Sequence, residues 1–117
     1  MKGKRLANFI VNLIEDKKGK DIKLLDVRKL TTLTDYFIIC TADVPEHGKA
    51  IAEEIRLKLK KKGNFLINEE GEEFGEWIAM DYGEVIVHIM IEEKREFYNL
   101  EKIWEEIGPK IEENRHS

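Results

Sequence analysis

The chain has 117 residues, a formal net charge of −4, 38% charged side chains and a single cysteine. That length suits one domain with a core of its own. No apolar run approaches the roughly 20 residues of a membrane span, and a lone cysteine rules out a disulfide framework or a thiolate metal cluster.

The basic start, Met1 to Arg5, runs into a stretch interrupted by Asn8, Asn12, Glu15 and Asp16. That pattern lacks the apolar core of a secretion signal, so the cytoplasm is the expected location. Leu6, Ile10, Leu13 and Ile14 recur at helical spacing and predict an amphipathic helix over 4–16, stopped near Gly19. Residues 21–27 read as a strand, 31–34 as a helical turn, and the continuous apolar run 36–40 as a central strand. Pro45 and Glu46 suit the first turn of a helix. Its stripe of Ile51, Ile55 and Leu59, widened by Ala50 and Ala52, runs to about Lys62 before Gly63.

Phe65, Leu66 and Ile67 open a third strand, and the acidic segment 69–76 reads as a mobile loop. Next come two apolar runs, 77–80 and 85–91, around Asp81, Tyr82, Gly83 and Glu84, the pattern of a β-hairpin. In the second run Val85, Val87, Ile89 and Ile91 share one side, and Ile86, His88 and Met90 the other. A strand apolar on both faces belongs near the middle of a covered sheet. Asn99 is suited to cap a last helix bearing Leu100, Ile103, Trp104 and Ile107. Gly108-Pro109 ends it, leaving a polar tail over 109–117. One α/β domain over 1–108 is expected, with a mixed sheet of about five strands packed with helices.

Charge is unevenly spread. Residues 1–62 hold fifteen Lys and Arg against nine Asp and Glu, and residues 63–117 hold five against fifteen. Solvated helix faces account for this; so does an acidic face that meets a basic partner. An acidic surface is a poor grip for phosphates, so no sequence-specific nucleic-acid contact is expected.

Catalysis finds little support. Metal-dependent nucleotidyl transfer uses converging carboxylates, commonly Asp-x-Asp on one strand, and the chain has none: Arg28 comes two residues after Asp26, and Phe37 two after Asp35. No glycine-rich phosphate loop occurs. His47, His88 and His116 are scattered, and Ser117 is the only serine. His88 in its apolar strand reads as a core or partner-facing residue, and Cys40 as an inert buried thiol. No cofactor or metal is expected. The aromatics carry more information, since tryptophan and tyrosine dominate binding energy at protein interfaces. Trp104 fits a core stripe, while Trp77 suits either a core edge or an exposed anchor.

Several blocks together resemble the ribosomal silencing factor family (RsfS, or Iojap): Leu25-Asp26-Val27, Thr34-Asp35-Tyr36-Phe37-Ile38-Ile39, Trp77-Ile78-Ala79-Met80-Asp81-Tyr82-Gly83, Val85-Ile86-Val87-His88, and the run from Arg95 to Trp104. The match is ordered and spans about residues 5–107. The resemblance implies a nucleotidyltransferase-like fold lacking the catalytic carboxylates. It also implies a non-enzymatic repressor that binds ribosomal protein fourteen of the large subunit and blocks joining of the small subunit when nutrients are scarce. Where the family has a Ser-Gly-x-Ser type loop, this chain has Thr41-Ala42-Asp43-Val44, which weakens any nucleotide-binding role. The expected partner-contacting residues are Trp77, Asp81, Tyr82, His88 and Tyr98, with Glu76 and Glu101 giving charge complementarity. A homodimer in the free state fits the family. The alternatives are a nucleotide-binding nucleotidyltransferase-like enzyme and a large-subunit assembly factor.

Overall fold

The computed structural model describes residues 1–107 and 111–112. In chain order the elements are α1 (Gly3–Asp16), β1 (Lys20–Asp26), β2 (Tyr36–Ala42), α2 (Pro45–Lys61), β3 (Asn68–Glu70), β4 (Trp77–Asp81), β5 (Val85–Ile91), α3 (Glu92–Tyr98), α4 (Leu100–Ile107) and the two-residue β6 (Ile111–Glu112). They form one mixed sheet in the order β3-β4-β5-β2-β1-β6, in which only β2 and β5 run parallel. The five expected strands are present, and β6 extends the sheet beyond β1. The expected break at Gly108-Pro109 and most of the polar tail lie outside the described residues.

β2 is buried at all seven positions, as an apolar run with no polar face must be. β5 pairs with it so that Phe37 lies opposite Ile86 and Ile39 opposite His88. Alternation then gives the sheet two different faces. Tyr36, Ile38, Cys40, Ile78, Met80, Val85, Val87 and Ile89 point to one side and pack with Leu6, Ile10 and Ile14 of α1 and Ile51, Ile55 and Leu59 of α2. Each large aliphatic side chain buried there contributes about 1.5–3 kcal/mol, so this layer supplies most of the stabilisation. The other side holds a smaller cluster built on Leu25, Val27, Phe37, Ile39 and Met90.

Three local expectations are corrected. Phe65 and Ile67 are 70% and 66% exposed, and β3 starts only at Asn68, after the Ile67 N–H has bonded the Asp81 carbonyl. No helical turn forms over 31–34; a turn at 28–30 precedes a bend at 32–33. A separate helix, α3, forms over Glu92–Tyr98, between the expected strand 85–91 and the expected last helix. Asn99 ends α3 in the left-handed conformation (φ 48°), serving as its C-cap rather than as a side-chain cap for α4.

The acidic segment expected as a mobile loop is anchored. Glu69 and Glu70 belong to β3, and Glu69 pairs with Arg56 of α2 at 2.8 Å. The Gly75 N–H bonds the Gly71 carbonyl at 2.9 Å, closing the turn that delivers Trp77 to β4. Gly71 has φ +84°, and a Cβ there would fall 1.9 Å from the Trp77 carbonyl oxygen. Gly71→Ala should therefore lower stability by about 1–3 kcal/mol, through positive-φ strain and displacement of Trp77. Urea unfolding measures this, and a variant as stable as the parent would mean that the close approach is dispensable.

Candidate partner-binding site

The second sheet face is covered only in part. The pairing Ala79↔His88 puts Trp77, Ala79 and Asp81 of β4 on the same side as Ile86 and His88 of β5, and β2 adds Phe37 and Ile39. Leu100 and Trp104 of α4 pack onto this face with Leu30, Trp77 and Ile86.

Six aromatic rings cross it in a continuous series. Phe97 meets Tyr98 edge-on at 4.9 Å, Tyr98 lies 4.8 Å from Trp77, and Trp77 lies 5.9 Å from His88. His88 is 5.6 Å from Phe37, which lies 4.9 Å from Trp104. Such ring pairs each add about 0.5–1.5 kcal/mol beyond the area they bury. The Trp77 indole Nε1–H donates to His88 Nδ1 at 3.0 Å, which puts the proton of the neutral imidazole on Nε2. Burial in this apolar setting pushes the His88 pKa down to about 4, so the ring is neutral at pH 7.

Beside the series lies an apolar groove of about 280 Å³, lined by Leu33, Phe37, Ile39, Ile86, His88, Leu100 and Trp104. Its surroundings are unusually open for large apolar side chains: Leu33 is 66% exposed, Ile103 50%, Tyr98 46% and Phe97 79%. A concave apolar surface with an aromatic border and few polar groups suits protein recognition rather than chemistry. A larger cleft, about 560 Å³, opens where the start of β1 meets α3, with Asp21, Lys23, Glu92 and Glu96 among its lining. Its lining side chains are charged or polar, with both signs present. Among the described residues no three His, Cys, Asp or Glu side chains converge as metal ligands.

The expected residues divide. Trp77, His88 and Tyr98 come together in the ring series. Asp81 shares their face, where its Oδ1 accepts the Gly83 N–H at 2.7 Å and shapes the hairpin turn. Glu76 is exposed near them, 3.7 Å from the Lys94 ammonium. Tyr82 is a correction: it is 8% exposed and packs on the helix side of the sheet, where burial pushes its phenol up to about 12. Strand parity carries the signal, since Tyr82 continues the series Ile78, Met80 rather than Trp77, Asp81. Glu101 is a second correction. Its side chain is 16% exposed and pairs with Arg95 at 2.9 Å, so it is held inward. Phe37, Ile86, Leu33 and Leu100 also line the groove and Phe97 extends the ring series, though sequence reasoning misses them; the shared side of Ile86 and His88 in β5 marks one of them.

His88 gives the face a pH signature. The unfolded imidazole titrates near 6.5 and the folded one near 4, so between these values the unfolded chain binds the extra proton. Stability should fall as pH drops from about 6.5 to about 4, and this group's contribution to the slope should vanish below that. Urea unfolding in a pH series checks it. His88→Asn, whose amide oxygen can accept the Trp77 N–H, should remove this part of the slope; an unchanged slope would refute the assignment.

The model of the family "Ribosomal silencing factor during starvation" matches residues 2–117. A ribosomal silencing factor from Chromobacterium violaceum is 38% identical over 104 residues, covering 89% of this chain and 85% of that protein. A crystal structure of a protein from the same organism superposes with a TM-score of 0.87 at 36% identity, covering 97% of this chain and 95% of that one. A Mus musculus relative, named for mitochondrial assembly of the large ribosomal subunit, is 29% identical over 100 residues, which are 83% of this chain and 44% of that longer protein. With the family model spanning nearly its whole length, and the same fold in a solved relative, the chain belongs to the ribosomal silencing factor family.

Proposed function

We propose that the half-covered aromatic face binds ribosomal protein fourteen of the large subunit, and that the bound protein then blocks joining of the small subunit. Translation is thereby repressed when nutrients are scarce, in the cytoplasm and without a catalytic step. The observation that carries this reading is the continuous ring series from Phe97 to Trp104 beside an open apolar groove. A domain of this size (Cα radius of gyration 12.9 Å) acts by occupying a surface the other subunit needs. Exposed acids near the face, such as Glu70 opposite Ala79 and Glu76 beside Trp77, favour a basic partner. In the free protein the same apolar surface is a natural place for a second copy to sit. The family membership and the names of the relatives support the ribosomal setting.

A second reading, assembly of the large subunit through the same contact, is favoured by the name of the mouse relative. The two separate on when the protein acts: an assembly factor leaves precursor particles behind when it is depleted, and an occluding factor leaves complete subunits free to join.

Trp77→Ala removes the middle of the ring series and the donor to His88. It should weaken binding to purified large subunits by about 2 kcal/mol or more, roughly thirtyfold. Sucrose gradients give the second readout: the parent protein should raise the free-subunit peaks at the expense of joined ribosomes, and the variant should not. Unchanged binding by a folded variant would remove Trp77 from the site, and unchanged subunit joining with the parent protein bound would overturn occlusion.

A further inference from the structure

Arg95 is a charged side chain only 7% exposed, and it ties three elements together. Its Nη1–H donates to Thr41 Oγ1 of β2 at 2.8 Å, while its Nε–H and Nη2–H donate to Glu101 Oε2 of α4 at 3.2 and 2.9 Å. Thr41 is itself 5% exposed. The Arg95 carbonyl accepts the Asn99 N–H at 2.8 Å, closing α3 on the left-handed residue that turns the chain into α4. One guanidinium therefore sets both the angle between α3 and α4 and the height of their corner above the sheet.

That corner presents Phe97 and Tyr98. Tyr98 rests on Trp77, and α4 carries Leu100 and Trp104 into the groove. An ion pair this buried contributes little net stability, because removing its charges from water offsets most of the attraction; apolar side chains in place of both partners often serve as well, whereas losing one partner alone leaves the other charge buried. What arginine adds is direction, a planar fork whose N–H groups reach two acceptors on different elements at fixed angles.

We propose that Arg95 is a positioning residue for partner binding: it holds the α3–α4 corner so that Tyr98 lies against Trp77 and the binding face is preformed. The inference rests on the reading of that face as the partner site. Preforming the surface lowers the ordering entropy lost on association, so Arg95 contributes to affinity over and above its part in folding.

The test compares wild type, Arg95→Met, Arg95→Lys and Thr41→Val in binding to purified large subunits and in proton NMR of the Tyr98 ring, which the Trp77 indole shifts. Arg95→Met leaves the Glu101 carboxylate without its partner and should melt below wild type; under conditions where it stays folded it should bind at least about tenfold more weakly, with the Tyr98 ring shifts collapsing toward free tyrosine. Methyl signals of Ile51 and Ile55, in the α2 core, should stay in place. Arg95→Lys keeps the charge without the fork and should remain weakened. Binding by Arg95→Met within about twofold of wild type would overturn the proposal, as would weakened binding with unmoved Tyr98 shifts, which would make Arg95 a direct contact. If Arg95→Met does not fold, Thr41→Val carries the test on both readouts, since it removes one acceptor from the clamp. Failure of the wild type itself to bind large subunits would instead overturn the partner reading, a different result from binding that ignores Arg95.

Discussion

The parallel pairing of β2 with β5 is the constraint on which the rest depends. Both strands are apolar on their two sides, so hydrophobicity alone leaves open which side meets the long helices. The register decides it. Phe37 opposite Ile86 and Ile39 opposite His88 put Phe37 and His88 together on one face, and leave Ile38, Cys40, Val87 and Ile89 for α1 and α2. A slip of one residue in β5 would bring His88 beneath the helices, and one in β2 would do the same to Phe37; either breaks the ring series. The antiparallel pairing of β4 with β5 then carries the same parity outward to Trp77 and Asp81.

Much of this is legible in the sequence because it obeys short-range rules. The two sides of β5, the helix from Pro45 with its stripe of Ile51, Ile55 and Leu59, and the hairpin at 81–84 come directly from periodicity and turn chemistry. The family blocks point to the ribosomal silencing fold by residue identity alone. Harder to read is which face stays open. Both long helices sit on one side, and among the described residues only the short α3 and α4 lie on the other, an outcome set by the crossover geometry rather than by local pattern. Glu101 shows the same limit. Its partner lies six residues back across a left-handed corner, a spacing that no regular helix brings together.

The acidic excess of the second half has also to be divided between structure and surface. Glu69 is held by Arg56, Glu101 by Arg95, and Glu84 by the backbone N–H of Gly3. Those carboxylates tie β3 to α2, α4 to α3, and the hairpin turn to α1. Glu70, Glu72, Glu73, Glu93 and Glu96 remain exposed. The field offered to a partner is therefore weaker than a residue count implies, and at physiological salt it extends only about 8 Å. Charge can orient an incoming partner, but the apolar groove and the rings must supply most of the adhesion.

Both tryptophans of the chain stand in the ring series, and none lies in the core beneath α1 and α2. Trp77 contacts an imidazole and a phenol, and Trp104 a phenyl ring. The tryptophan emission of the molecule therefore originates on one surface. Without any label, its colour and intensity register what covers that face, whether water, a second copy or the ribosome, and stay largely blind to changes in the opposite layer.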